Sequence, residues 1–164
     1  MQFRAEEYFR AGLERMTQAR VILGDGQSFA LAMYCGGLAV ECVLRAFRFA
    51  ENPTFQGRHD LMDLLKSSGL LKFDDEYMHR RRLTEVQINE RREVLKGAMN
   101  EVYARWNNNL RYASEASAKA FLKKSVRSEG VRGDPLKENA RMLIEAAQTV
   151  VDRGATLWTS EQKS

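Results

Sequence analysis

The sequence predicts an all-α protein, a bundle of five to six helices. Apolar residues recur at helical spacing along the whole chain, no segment alternates at period two for long enough to be a strand, and only two prolines occur in 164 residues. With 44% hydrophobic and 29% charged residues, the chain is one globular domain able to bury a core. Collagenous, disordered and disulfide-scaffold classes are excluded. The domain is expected over residues 1–158, with a frayed polar tail over 159–164.

A first helix is expected from Phe3 to Leu23, with Phe9, Leu13, Met16 and Leu23 on one stripe and Gly24-Asp25-Gly26 ending it. A second, capped by Ser28, runs to Phe49 and is apolar on nearly every face, which marks a central helix. Its Gly36 and Gly37 lower helix propensity, so a neighbour is expected to approach closely there. Asn52-Pro53 breaks it. A short third helix runs from Asp60, as N-cap, to Ser68, with Gly69 as its C-terminal turn. Lys72 to Arg82 reads as a polar connector that changes sign from Asp74-Asp75-Glu76 to Arg80-Arg81-Arg82. The long fourth helix carries Ile88, Leu95, Met99, Val102 and Trp106 and stops at Asn107-Asn108-Asn109, whose side chains compete for the backbone. Ser114 caps a fifth helix to about Lys124, Lys123 to Asp134 reads as a loop, and Asp134-Pro135 opens the last helix.

The chain carries 26 Lys and Arg against 22 Asp and Glu, a formal charge of +4, and 18 of the 26 are arginines. Arginine makes planar forked bonds to carboxylates and phosphates, so the balance leans towards a phosphate-bearing or acidic partner. Met1 to Arg15 alternates charged and apolar residues, unlike a signal peptide, so a cytoplasmic location is expected. The apolar stretch from Phe29 ends at Glu41, short of the roughly 20 residues of a membrane span. Cys35 and Cys42, seven residues apart on one helix, are separated by about 10 Å along its axis. A disulfide needs Cα atoms within roughly 7 Å, so these two do not pair. Two histidines and no Cys-x-x-Cys supply no usual metal set, and there is no glycine-rich phosphate loop or Gly-x-Ser-x-Gly elbow. No metal or cofactor is expected.

Three segments concentrate the candidate residues. In Ala39-Val40-Glu41-Cys42-Val43-Leu44-Arg45-Ala46, a glutamate interrupts an apolar helix with Arg45 one turn on, the favourable order for a helical ion pair. Glu41 reads as a register-setting residue rather than a catalytic acid, because no nucleophile or metal set accompanies it. In Gly57-Arg58-His59-Asp60-Leu61, Asp60 accounts for itself as a cap, while His59 is either a hydrogen-bond partner of the second helix or, with Arg58, part of an anion site. In Trp106-Asn107-Asn108-Asn109-Leu110-Arg111-Tyr112, aromatics beside arginine either stack bases and hold phosphate or plug the end of a bundle. Two basic stretches remain. Residues 80–92 carry five arginines against Glu85 and Glu90, and residues 119–132 carry Lys119, Lys123, Lys124, Arg127 and Arg132 against Glu129. If they share a face, they favour nucleic acid.

In this order the three segments resemble the HEPN superfamily (higher eukaryotes and prokaryotes nucleotide-binding domain) over residues 5–155. The likeness lies in Ala-Val-Glu-Cys-x-Leu-Arg-Ala, then His-Asp-Leu opening the third helix, then Arg-Tyr after the long helix. The resemblance implies an up-and-down bundle, a homodimer, and work in toxin–antitoxin, defence or RNA-processing systems, often beside a minimal nucleotidyltransferase. Catalytic members are metal-independent ribonucleases with an Arg-x4–6-His motif. Here the arginine would have to stand at Asn52, Pro53 or Thr54 for His59, and at Lys72, Phe73 or Asp74 for His79; no position qualifies. The expectation is therefore a non-catalytic member that dimerises and binds a nucleotide, RNA or other phosphate-bearing ligand, using Arg45, Arg58, His59, Arg111 and Tyr112. Glu41, Asp60 and Trp106 are the register residues. The alternatives are a protein-interaction partner of a nucleotidyltransferase and a ribonuclease with a departed active site.

Overall fold

The computed structural model describes residues 3–55, 60–123 and 133–161, and among these there is no strand. In chain order the elements are α1 (Ala5–Asp25), α2 (Phe29–Glu51), α3 (Leu61–Ser67), α4 (Leu70–Arg80), α5 (Glu85–Arg105), a 3-10 turn (Asn108–Tyr112), α6 (Glu115–Lys123) and α7 (Pro135–Glu161). α2 lies at the centre, packed against α1 and α7, with α3 and the 3-10 turn also against it. As a whole, α2 is long and apolar enough to cross a membrane, which the shorter apolar stretch to Val40 did not suggest, yet most of it is buried inside the bundle. Its all-round apolar surface is what a helix covered on every side requires.

Local signals place most helix ends. The Asp60 carboxylate accepts from the Met62 and Asp63 amides at 2.9 and 3.1 Å. Thr84 and Gln87 bond reciprocally at the start of α5, Ser114 Oγ accepts from the Ser117 amide, and Asp134 Oδ1 accepts from the Leu136 amide. Ser28 does not cap α2 with its side chain. The amide of Ala30 donates instead to Glu115 Oε1 of α6 at 2.7 Å, a cap supplied from 85 residues away. At the other end of the chain the helix continues beyond Trp158, with the Thr159 and Ser160 hydroxyls donating to the Ala155 and Leu157 carbonyls.

The polar stretch expected to be a connector is largely helical. Gly69, at φ +69°, turns the chain from α3 directly into α4. Two acids on α4 are then held by arginines from other helices. The Arg153 Nε of α7 donates to the buried Asp74, and Arg92 of α5 makes a two-pronged bond to Asp75 at 3.0 and 2.9 Å. The Arg153 guanidinium also lies 4.9 Å from the centre of the Tyr77 ring. Burial pushes the Asp74 carboxyl up in spite of its arginine. These pairs fasten α4 to α5 and to α7, and a signal read along one segment cannot see them.

His79, near the end of α4, gives a pH dependence. Its Nδ1 donates to the Asp75 carbonyl at 2.7 Å, and its Nε2 lies 3.3 Å from Glu85 Oε1. The backbone bond first, with help from the Glu85 carboxylate, raises its pKa above the ordinary 6.5. The folded protein therefore holds this proton more tightly than the unfolded chain does. The stabilisation is fully present below about pH 6.5 and is lost as pH rises through the raised value. Urea midpoints followed from pH 6 to pH 8.5 are expected to fall more in the wild type than in His79→Ala, and parallel curves would refute it.

Candidate ligand-binding corner

The Glu41 and Arg45 of α2 meet as their spacing dictates, Arg45 Nε donating to Glu41 Oε1 at 2.7 Å. Both are buried, at 1% and 7% exposure. Cys42 beside them is buried as well, and burial pushes its thiol up to about 11, so it offers no thiolate. Arg58 and His59 lie outside the described residues.

Trp106, the residue at which α5 ends, lays its indole on α2. Its Nε1 donates to the Tyr34 carbonyl at 3.2 Å, and a Cβ built on Gly37 would fall inside the ring. Gly37 is glycine because the indole occupies the place of its side chain. Gly36 faces α7, where an added Cβ would be 2.9 Å from Leu143. Both expected close approaches occur, on different neighbours. Arg105, next to Trp106, donates to Glu101 and to Asn139 Oδ1 at 2.6 Å, and the buried Asn139 donates to the Pro135 carbonyl. The sequence reading missed this link between α5 and α7. Its only signal was an asparagine interrupting the apolar stripe of Leu136, Ala140 and Leu143.

With Trp106 anchored, the chain turns outward. Asn107 Oδ1 accepts from the Asn109 amide, and a single 3-10 turn follows. Three residues per turn place Leu110 and Ala113 on the same side, and both line an apolar cavity of about 280 Å³ with Met33, Ala118, Leu122 and Leu136. Asn107, Asn109 and Ser117 supply polar groups to its wall. Arg111 and Tyr112 project from the outer side: the Arg111 guanidinium stacks 4.6 Å from the Tyr112 ring centre, and Tyr112 is 76% exposed. Among the described residues Arg111 makes no ion pair.

The sequence candidates therefore separate by depth. Arg45, Glu41 and Trp106 are buried, Asp60 caps α3, and Arg111 and Tyr112 stand at the surface. In the first basic stretch Arg92 is engaged with Asp75, Arg81 lies 5.8 Å from the Tyr77 ring, and Arg91 borders a groove between α5 and α7. In the second, Lys119 is bonded to Asp134 at 2.8 Å and holds that carboxyl below its usual range, while Lys124, Arg127, Glu129 and Arg132 lie outside the described residues.

The fold defines an all-α helical bundle whose surface carries an arginine and aromatic corner beside a small apolar cavity. No protein-family model matches the chain, and neither a curated protein nor a solved structure matches it.

Proposed function

We propose that this protein is a non-catalytic, HEPN-type helical module that works as a dimer and binds a nucleotide or single-stranded RNA at the Arg111 and Tyr112 corner. The observation that carries the reading is the stacked, exposed Arg111 and Tyr112 pair with no acid on the guanidinium among the described residues. A phosphate matches the guanidinium, and a nucleobase stacks on the ring whatever its identity. The neighbouring cavity adds apolar surface. Arg45 is buried and bonded to Glu41 within α2, so it enters as a positioning residue that does not touch the ligand. The Arg-x4–6-His motif is absent from the sequence, which favours binding without cleavage, and a role in a toxin–antitoxin or defence system belongs to the same reading.

Fluorescence anisotropy with labelled single-stranded RNA, and calorimetry with mononucleotides and inorganic phosphate, test it. Tyr112→Ala is expected to weaken RNA or nucleotide binding by about 1–3 kcal/mol. Arg111→Ala is expected to reduce the salt slope by about one, with helicity unchanged. Binding of RNA alone, or of mononucleotides as well, separates the two sources. Absence of binding to all three probes, or binding indifferent to salt and to both substitutions, would sink the proposal and leave a protein partner as the reading to pursue.

A further inference from the structure

α6 buries one side and leaves an aromatic ring outside it. Ala118 and Leu122 are each 4% exposed, whereas Phe121 is 65% exposed and yet lines the apolar cavity beside the 3-10 turn. Phe121 therefore stands at the cavity mouth. Leu110 and Ala113, which flank Arg111 and Tyr112 in the chain, line the same cavity. One turn of backbone thus lies between the cavity and the exposed Tyr112 ring.

The polar groups of the cavity wall divide into those already bonded and those left open. The guanidinium of Arg105, the charged residue of the lining, is spent on Glu101 and Asn139. Ser117 Oγ donates to the Ser114 carbonyl and accepts from the Ser114 hydroxyl. No charge is left over, so the cavity suits a neutral occupant. The side-chain amide of Asn109 is open: the backbone amide of this residue bonds Asn107, but its side chain makes no hydrogen bond among the described residues. At about 280 Å³ the cavity is smaller than the roughly 300–1,000 Å³ of sites for drug-sized ligands. It holds one ring system, not a whole nucleotide.

We infer that the cavity takes one nucleobase, stacked on Phe121 and bonded along its edge by Asn109, while Tyr112 stacks a second base of the same strand and Arg111 holds a phosphate. The ligand is then a single-stranded RNA oligonucleotide and not a mononucleotide. A base is flat and neutral, with donors and acceptors along its edge, and a side-chain amide offers both kinds of group in return. Stacking on an aromatic ring is open to every base and removes that ring from water. An apolar side chain of a protein partner would also fill the cavity, but it would cover the Asn109 amide without bonding it, which opposes that occupant. A free anion finds no open cation inside. The inference rests on the proposed function, adds Phe121 and Asn109 to its corner, and chooses between the two ligands named there.

Fluorescence anisotropy with labelled hexaadenylate, and calorimetry with adenosine monophosphate, test it on the full chain. Two linked contacts raise affinity over one by about 10²–10⁴-fold, so the wild type is expected to prefer the hexanucleotide by at least about a hundredfold. Phe121→Ala is expected to weaken hexaadenylate binding at least about fivefold, the low end for a base stacked on an aromatic ring, and to shrink that preference. Asn109→Ala is expected to act in the same direction. Both residues are exposed, so circular dichroism should not change. A wild-type preference under about tenfold overturns the two-base site and leaves the corner standing. Hexaadenylate binding that Tyr112→Ala weakens but that is indifferent to Phe121→Ala and Asn109→Ala overturns the cavity as a base site, again leaving the corner. No binding of either probe overturns the proposed function and this inference together.

Discussion

Replacing Arg45 with alanine is expected to lower the unfolding free energy by roughly 3–5 kcal/mol, the usual cost of taking one partner from a buried ion pair. Arg45 and Glu41 are 7% and 1% exposed and joined at 2.7 Å, so the substitution leaves the Glu41 carboxylate in the core without its guanidinium. A second variant separates the value of the pair from the damage of breaking it. In Glu41→Leu/Arg45→Met both charges go and the volume is nearly kept, and such replacements are often neutral or stabilising. Urea denaturation of the three proteins is therefore expected to show a large loss in the single variant and most of it restored in the double. If the single variant loses less than about 1 kcal/mol, the level of an exposed pair, then the pair is not buried as described. If the double variant folds stably but no longer binds the ligand that wild type binds, the pair positions the binding corner, whereas retained binding makes it a purely structural element of α2.

Gly37→Ala is the smallest substitution with a comparably large effect. The added methyl would occupy the space of the Trp106 indole, and neither α2 nor the end of α5 moves without disturbing other packing. The ring must leave, giving up its burial and its bond to the Tyr34 carbonyl. Removing a buried aromatic from its site costs about 3–5 kcal/mol, and the loss is expected to approach that range. Because Trp158 also fluoresces, the measurement is cleanest in a Trp158→Phe background, where emission should shift to the red in Gly37→Ala as Trp106 meets water. Unchanged emission and an unchanged melting temperature would mean that the indole does not lie on Gly37. Since Arg111 and Tyr112 follow directly after this anchor, the same variant should weaken ligand binding at the corner even at temperatures where it stays folded.

The features legible in the sequence are those made within a few residues. Asp60, Ser114 and Asp134 cap helices through bonds two or three residues on, and the Glu41 and Arg45 pair is a spacing of four on one helix. The all-α class and the central place of α2 followed from periodicity and from the lack of any polar face. α4 was not legible as a helix, because its acids stand beside arginines 79 and 17 residues away in the chain. Ser28 was a reasonable cap for α2, yet the bond to the Ala30 amide comes from Glu115. Val43, an ordinary apolar residue in the sequence, is pinched between Gly12 of α1 and Gly154 of α7, where added Cβ atoms would stand 2.8 and 2.5 Å from it.

The candidate site divides in the same way. The segments that matter were visible as oddities of composition, a glutamate in an apolar helix and arginine beside aromatics at a helix end. Sequence alone therefore determined the helical class, most of the caps and where the chain departs from a plain core. Depth belonged to the tertiary structure: it buried Arg45 against Glu41, left Arg111 stacked on Tyr112 at the surface, and set Arg91 on a groove that the buried Asp74 also lines. Burial and long-range pairing depend on which helices lie against each other, and that is a property of the packed bundle rather than of any one segment.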